Sequence, residues 1–273
     1  MKVLIPNFWK RSGLVPVIVQ DIATKEVLML AFTDEAGYLE TLRTGFAVYF
    51  SRSRWRRWKK GEESGNVQLV RNILIGCDGS AIVYQVQQKG DGACHTRAKS
   101  CFYRDFLGNQ IMQVPESGWK ENLLSAEAEV ASSFSAAKTA KVFLPTFSKN
   151  FGLVDTVVQD FSTGRIVMAA SVNRAGYFEA ISTGSAIYSY SPQHERWYRE
   201  NPASNAQTIR QILVDCDGDA LVYKVESNTS HNSSQSSSYR NFVGKQIAEM
   251  PLCAEKLFTA EIDVVGWLAA STG

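Results

Sequence analysis

Residues 2–8 read Lys-Val-Leu-Ile-Pro-Asn-Phe, and residues 141–147 read Lys-Val-Phe-Leu-Pro-Thr-Phe. The same spacing of 139 residues relates further segments of the two halves. They are Gly13-Leu14-Val15 with Gly152-Leu153-Val154, Ala36-Gly37-Tyr38 with Ala175-Gly176-Tyr177, Trp58 with Trp197, and Cys77-Asp78-Gly79 with Cys216-Asp217-Gly218. After a three-residue deletion the spacing becomes 136, and Tyr103-Arg104 matches Tyr239-Arg240. One register held over so much sequence indicates a tandem repeat, with copies at 1–139 and 140–273.

Each copy is predicted to consist mainly of strands around one helix. Apolar, β-branched runs of the first copy predict strands at 15–20, 27–32, 47–51, 67–75 and 81–87. Thr33-Asp34-Glu35 supplies an N-cap and an acidic first turn, Gly45 supplies a stop, and Ala36, Leu39, Leu42 and Arg43 follow at helical spacing. This order predicts an α+β fold with a mainly antiparallel sheet in each copy. The Ser/Ala-rich stretch 125–140 is compatible with a helix or a connector.

Composition argues against several classes of protein. The 273 residues carry a net charge of +2, with 21% charged residues of both signs, which does not favour a nucleic-acid or membrane partner. The first residues contain no continuous apolar run, and no stretch approaches about 18 apolar residues, so we expect neither a signal peptide nor a membrane span. Five cysteines without an export signal favour reduced thiols in the cytoplasm.

The first copy contains Cys94-His95, followed by Cys101 seven positions after Cys94. Two thiolates and an adjacent imidazole are suitable ligands for zinc. Because most zinc motifs use closer pairs, the spacing alone favours two buried structural thiols over a zinc site.

Two polar motifs of the first copy suit a phosphate group. Ser51-Arg52-Ser53-Arg54 is followed by Trp58 and by Lys60-Gly61-Glu62-Glu63-Ser64-Gly65. Guanidinium, ammonium and hydroxyl groups, with backbone donors that glycine makes accessible, bind phosphates well. Taken alone, the same residues also fit a solvated basic turn.

The second copy contains Asp215-Cys216-Asp217-Gly218-Asp219. Three carboxylates at alternate positions resemble a site for magnesium or calcium. On a strand they would share one face, and Cys216 would point the other way. An acidic turn is the alternative, because Asp-Gly favours turns.

Together these motifs resemble phosphoribosyl-AMP cyclohydrolase, an enzyme family of histidine biosynthesis. The resemblance is strong over residues 13–106 and weaker over 152–242. It implies an obligate homodimer whose zinc is held by the cysteine of the acidic motif from one subunit and the cysteine pair of the other, with magnesium on the three aspartates. Applied here, it implies zinc on Cys94, Cys101 and Cys216 and magnesium on Asp215, Asp217 and Asp219.

The two copies have lost complementary parts of the family pattern. In the first copy the acidic motif has become Gly76-Cys77-Asp78-Gly79-Ser80, while the cysteine pair and the phosphate motifs remain. In the second copy the acidic motif is intact, but Ser230 and Ser237 replace the cysteines beside His231. Its phosphate motifs have decayed to Tyr190-Ser191-Pro192-Gln193 and Arg199-Glu200-Asn201-Pro202. This pattern of losses preserves one of the two composite sites of a homodimer, and it predicts a monomer with an internal pseudo-dimer.

The resemblance implies hydrolysis of the N1–C6 bond of the adenine ring of 1-(5-phosphoribosyl)-AMP. Zinc would activate the water, and His95 is the candidate for proton transfer, with a structural role beside the ligands as its alternative. The candidate substrate-binding residues are Arg52, Ser53, Arg54, Trp58, Lys60, Glu62 and Ser64. Cys77 and Cys253 have no expected role.

Two other functions remain open at this point. Arg97 stands where the family has glycine, which favours either an added phosphate contact or an enzyme acting on another purine nucleotide. A catalytically inactive nucleotide-binding protein is the third possibility, and it predicts a zinc content near zero.

Overall fold

The computed structural model describes residues 1–114, 124–189, 196–197, 207–227, 239–241 and 258–261. Its helices are α1 (Glu35–Thr44) and α2 (Arg174–Thr183), with short 3-10 helices at Phe8–Arg11 and Phe147–Asn150. The strands of the described residues are, in chain order, β1 Lys2–Ile5, β2 Val15–Asp21, β3 Val27–Thr33, β4 Val48–Ser51, β5 Arg56–Lys59, β6 Gln68–Gly76, β7 Ile82–Gln88, β8 Arg104–Asp105, β9 Leu124–Glu129, β10 Thr139–Leu144, β11 Leu153–Asp160, β12 Ile166–Asn173, β13 Tyr188–Ser189, β14 Arg196–Trp197, β15 Gln207–Val214, β16 Ala220–Ser227, β17 Tyr239–Asn241 and β18 Phe258–Glu261.

Two compact units make up the chain. One comprises Met1–His95 with Ser233–Gly273, and its five-stranded sheet has the order β17-β6-β7-β2-β3. The other comprises Thr96–Asn232, and its sheet has the equivalent order β8-β15-β16-β11-β12. Each sheet is antiparallel except for one parallel pair, β2 with β7 and β11 with β16. The predicted α+β class, with a helix in each of two mainly antiparallel sheet regions, is confirmed.

The last strand of each sheet comes from the other repeat. Strand β8 belongs to the first copy and pairs with β15 of the second, with Arg104 opposite Val214. Reciprocally, β17 of the second copy pairs with β6 of the first, with Arg240 opposite Ile75. The pairs β9 with β10 and β18 with β1 follow the same rule. The repeats 1–139 and 140–273 therefore differ from the compact units, each of which combines segments of both copies.

Matching buried contacts confirm that the two units repeat one design. The Tyr38 hydroxyl donates to the Leu4 carbonyl at 2.8 Å, and the Tyr177 hydroxyl donates to the Phe143 carbonyl at 2.7 Å. Both tyrosines are fully buried. Because burial raises the pKa of each phenol, both stay neutral and keep the proton that each hydrogen bond requires.

The predicted helix signals of the first copy act as expected. The Asp34 side chain accepts a hydrogen bond from the Gly37 amide at 2.9 Å, and Gly45 ends α1 in the left-handed conformation with φ of 75°. The buried face of α1 is formed by Gly37, Tyr38, Thr41 and Leu42, whereas Ala36 and Arg43 are exposed. The helix is oriented with Tyr38 rather than Ala36 towards the core, because the larger tyrosine side chain buries far more apolar area.

The helix alternative for residues 125–140 was wrong, and the connector alternative is correct only for the loop between β9 and β10. This stretch contributes to β9 and β10, which form an antiparallel pair with Glu129 opposite Thr139. Serine and alanine have little intrinsic preference for a strand. The pairing of β9 with β10, rather than local propensity, therefore determines that these residues form strands. Within the described ranges, no helix has the length and apolar character needed to cross a membrane.

Candidate functional site

The acidic motif lies in a tight turn between β15 and β16, so its placement on a strand was wrong and the turn alternative is correct. The Gly218 amide donates to the Asp215 carbonyl at 3.4 Å, with Gly218 at φ of 76°. The Asp215 side chain fixes the end of the turn, because its Oδ1 accepts the Ala220 amide at 3.1 Å. Cys216 consequently does not point away: potential ligand atoms of Asp215, Cys216 and Asp217 all lie within 4.8 Å of one another.

Burial and neighbouring charges give the aspartates of this turn different proton affinities. Desolvation, together with Asp219 and Asp217, raises the pKa of Asp215 well above its usual value. Partial burial would raise the pKa of Asp217 too, but hydrogen bonds from Asp215 and Lys149 outweigh it and lower that pKa. Of the two carboxyl groups, Asp215 therefore keeps its proton to the higher pH, and Asp217 ionises first.

Lys149 provides a positive charge for this turn. Its Nζ lies 2.6 Å from Asp217 Oδ2 and 3.3 Å from Asp219 Oδ2. Partial burial acts to lower the pKa of Lys149, but the two carboxylates outweigh that effect and raise it. Lys149 consequently remains an ammonium ion paired with the acidic motif.

The equivalent turn of the first copy keeps its backbone but not its charge. The Gly76 amide donates to the Ala81 carbonyl and the Gly79 amide to the Gly76 carbonyl, both at 2.9 Å. The remaining carboxylate, Asp78, accepts hydrogen bonds from the Ser80 amide at 3.0 Å and the Ser80 hydroxyl at 2.7 Å. This turn is thus locally satisfied without a cation. Cys77, at its centre, is half-buried.

Cys101 lies in the same unit as the acidic motif although it belongs to the first repeat. It is half-buried, and β8 begins three residues later at Arg104. Arg104 is 1% exposed, and its Nη2 donates to the Cys216 carbonyl at 3.0 Å. Its guanidinium also lies 5.0 Å from the ring centroid of Phe143. A buried guanidinium thus connects the strand that follows Cys101 with the turn that carries Cys216.

Cys94 and His95 are the last two residues of the segment Met1–His95, which belongs to the unit that does not contain the acidic motif. Cys94 is buried, whereas His95 is exposed. The four cysteines of the described residues are Cys77, Cys94, Cys101 and Cys216, and all are thiols rather than half-cystines. The thiol of Cys94 and the imidazole of His95 are donor groups that suit zinc.

The phosphate-like motifs occupy one hairpin, formed by β4 and β5. Ser51–Arg54 forms its turn, where the Arg54 amide donates to the Ser51 hydroxyl at 3.3 Å. Ser53 and Arg54 are exposed. The exposed Arg52 guanidinium stacks 3.9 Å from the centroid of the Phe32 ring. These groups are accessible to an anion.

The second motif, Lys60–Gly65, follows β5 at the opposite end of the hairpin from Ser51–Arg54. Lys60 is buried, and its Nζ lies 5.7 Å from the ring centroid of Trp58. Gly61 has φ of 82°, and an added Cβ would lie 2.5 Å from the backbone of Asn66, so this close loop requires glycine. Glu62 and Ser64 are both exposed. The Glu62 carboxylate accepts the Lys59 amide at 3.3 Å, and the Ser64 hydroxyl accepts the Asn66 amide at 3.3 Å.

Several predicted features fall outside the described residues. They are Ser230, His231, Ser237, Cys253 and the decayed motifs at 190–193 and 199–202. Sequence reasoning in turn missed the roles of Lys149 and Arg104. The signal for Arg104 was available, because Tyr-Arg recurs in both copies, but its burial was not. Lys149 matches Lys10 of the first copy, but this match gave no indication that Lys149 pairs with the acidic motif.

The family model for phosphoribosyl-AMP cyclohydrolase matches residues 29–103 and 168–239, which together exceed half of the chain. The chain belongs to this family. The two matched segments fit a tandem duplication, one in each copy. Membership makes the chain an enzyme, a cyclohydrolase and hydrolase of histidine biosynthesis, and implies a nucleotide substrate.

Similar proteins cover about one copy each. The phosphoribosyl-AMP cyclohydrolase of Archaeoglobus fulgidus is 58% identical over 100 residues, which are 37% of this chain and 92% of that protein. The enzyme of the same name from Desulforapulum autotrophicum is 54% identical over 98 residues, 36% of this chain and 78% of that protein. The histidine biosynthesis bifunctional protein HisIE of Aquifex aeolicus is 48% identical over 103 residues, 38% of this chain and 50% of that protein.

Proposed function

We propose that the chain hydrolyses the N1–C6 bond of the adenine ring of 1-(5-phosphoribosyl)-AMP at one composite active site built from both repeats. Water adds its oxygen to C6, the N1–C6 bond breaks as N1 takes up a proton released from the water, and the ring opens to a carboxamide while the exocyclic amino group stays on C6. The cysteine pair and the phosphate motifs come from the first repeat, and the acidic motif comes from the second. The equivalent second site has lost its ligands on both sides.

The observation that best supports this proposal is the exchange of strand β8. It brings the end of the first repeat's cysteine segment into the sheet of the second repeat, where Arg104 lies opposite Val214, the residue before Asp215. The hydrogen bond from Arg104 to the Cys216 carbonyl supports the same combination. A strand that paired within its own repeat would instead favour two separate sites.

The chemistry of the donor atoms fits the two metals of the proposal. Thiolates of Cys94, Cys101 and Cys216 would hold zinc, and burial of Cys94 and Cys216 suits a structured ligand shell. Zinc supplies a Lewis acid that activates water near neutral pH. Carboxylates of Asp215, Asp217 and Asp219 would hold magnesium, whose chemistry is the neutralisation of a substrate phosphate.

The remaining steps belong to side chains of the first repeat. His95 is exposed beside Cys94 and accepts the proton from the water that attacks C6. Arg52, Ser53 and Arg54 at one end of the β4–β5 hairpin, and Lys60 and Ser64 at the other, are the candidate groups for binding phosphate on the substrate. Trp58 and Glu62 hold the hairpin that presents them, through the contacts of Trp58 with Tyr49 and of Glu62 with the Lys59 amide.

The same proposal accounts for assembly. If the repeats form the internal counterpart of a homodimer, the self-complementary surface is already covered and the chain is a monomer. The reciprocal exchange of β8 and β17 supports this arrangement, because each copy needs a strand from the other to complete its sheet.

A side-by-side assay tests the substrate. We expect the zinc- and magnesium-loaded chain to open the ring of 1-(5-phosphoribosyl)-AMP and to leave AMP and adenosine unchanged, because ribosylation at N1 makes C6 electrophilic. Ultraviolet absorbance and mass spectrometry of the product would check this. The His95→Ala variant is the control, with an expected loss of about 100-fold or more if His95 moves the proton.

Arg97 favours a second candidate, an enzyme of the same fold acting on another purine nucleotide. Its φ is 64°, which is in the left-handed region that favours glycine, and its guanidinium is exposed. Turnover of AMP or adenosine in the assay, without turnover of the N1-ribosylated compound, would support this candidate and reject the first. Binding of nucleotides without turnover of any of them would instead indicate an inactive binding protein.

A further inference from the structure

The helix that carries Lys149 is docked on the acidic turn by its own backbone. The Thr146 amide donates to the Gly218 carbonyl at 2.7 Å, and the Thr146 hydroxyl donates to the Asp217 carbonyl at 3.3 Å. The 3-10 helix Phe147–Asn150 starts immediately afterwards. Lys149 therefore reaches Asp217 and Asp219 from a fixed base, which distinguishes it from a long side chain that meets a carboxylate by chance.

The position of the ammonium group is the position that a cation would take. Its Nζ lies between Asp217 Oδ2 at 2.6 Å and Asp219 Oδ2 at 3.3 Å. Two carboxylates bridged by one positive charge resemble a cation site in which the protein itself supplies the cation. A divalent ion that took these oxygens would have to share them with Lys149 or displace it.

We propose that Lys149 is a built-in counter-ion of the acidic motif, which neutralises Asp217 and Asp219 in the metal-free protein and is displaced when a divalent cation binds. It stabilises the crowded carboxylates without a metal, and for the same reason it weakens cation binding. The proposal rests on the proposed function, since it takes the acidic motif to be the magnesium site.

The first copy provides an internal comparison. There Ser80 stands in place of Asp219, and the single carboxylate Asp78 is satisfied by the Ser80 hydroxyl at 2.7 Å. A turn with one carboxylate has no repulsion between acidic groups to offset. The turn of the second copy has this repulsion, and Lys149 bridges two of its carboxylates.

Manganese binding to the zinc-loaded chain tests the proposal. Free Mn²⁺ would be measured by electron paramagnetic resonance at low ionic strength, with Lys149→Met compared with the parent. We expect binding about three- to tenfold tighter in Lys149→Met, because competing exposed ion pairs contribute modestly. The difference should shrink as salt is added, since salt screens the ammonium. Zinc content should not change.

Three matched variants make the result specific. Lys149→Arg keeps the charge and should bind Mn²⁺ like the parent. Lys138→Met removes an exposed lysine from the loop between β9 and β10 and should also match the parent. Lys149→Gln repeats the loss of charge with a polar side chain, so that a folding defect of the methionine variant does not decide the outcome.

The outcomes separate this proposal from the proposed function. If the parent binds Mn²⁺ and Asp219→Asn weakens the binding, the acidic motif is the cation site, and unchanged or weaker binding in Lys149→Met and Lys149→Gln overturns only the counter-ion. If neither the parent nor any Lys149 variant binds Mn²⁺, both the counter-ion and the magnesium site of the proposed function are overturned.

Discussion

Cys216→Ser should abolish turnover and lower zinc affinity, although Cys216 lies in the repeat that lacks the cysteine pair. Three thiolates are needed to hold a tetrahedral zinc with one open position, and in the proposed site only Cys216 completes the Cys94–Cys101 pair. Replacing a neighbour of a zinc ligand costs about 10–100-fold, so we expect loss of a ligand to cost more than 100-fold in turnover. Zinc analysis and turnover at saturating substrate would measure both effects.

Cys77→Ser is the matched control, because Cys77 occupies the equivalent position in the turn of the first repeat. Its partners in the second repeat would be Ser230 and Ser237, whose neutral hydroxyls are poor zinc ligands. We therefore expect nearly unchanged turnover and zinc content. If Cys77→Ser damaged turnover as much as Cys216→Ser while thermal unfolding stayed normal, a single composite site would be excluded.

Asp217→Asn should be severe for a different reason. The substitution removes one negative charge and one ligand oxygen from a site of three carboxylates, and it also removes the strong acceptor of Lys149 at 2.6 Å. We expect turnover to fall at least about tenfold, which corresponds to about 1.4 kcal/mol of transition-state stabilisation. Turnover measured across a magnesium titration should show a higher magnesium requirement as well as a lower maximum.

Asp78→Asn tests the asymmetry of the carboxylates. Asparagine keeps a side-chain oxygen that can accept the hydrogen bonds from the Ser80 amide and hydroxyl, so the turn should survive. We expect turnover and magnesium dependence close to those of the parent. A magnesium requirement that rose equally in Asp78→Asn and Asp217→Asn would mean that both turns serve catalysis.

Much of the fold was predictable because local signals agree with it. The strands predicted at 15–20 and 27–32 correspond to β2 (Val15–Asp21) and β3 (Val27–Thr33), and the Asp34 cap and the Gly45 stop bound α1. These signals are local, as β-branched runs and capping groups act within a few residues.

The exchange of strands could not be predicted, because the choice of partner is a tertiary property. Strand β8 has only two residues, Arg104 and Asp105, so no alternation of side chains marks it as a strand or specifies its partner. The sequence equally allowed it to pair within its own copy. The chemical types of the site were predictable from the repeat, whereas this pairing depends on packing across the whole sheet.

The local structure of the acidic motif was also not predictable from its pattern of residues. Alternating aspartates satisfy the pattern of a strand, but Asp-Gly and a side chain that caps the Ala220 amide stabilise a turn instead. That difference changes the chemistry, because in the turn Cys216 and its neighbours Asp215 and Asp217 bring their ligand atoms together. The alternation predicted that Cys216 would be separated from them.

Anomalous diffraction at the zinc edge, on crystals of the intact zinc-loaded chain, tests the composite site most directly. The account predicts one strong zinc peak per chain, bonded to Cys94 and Cys101 of the first repeat and to Cys216 of the second, at about 2.3 Å from each sulfur. Two peaks of equal strength per chain, or one peak whose ligands exclude Cys216, would contradict it.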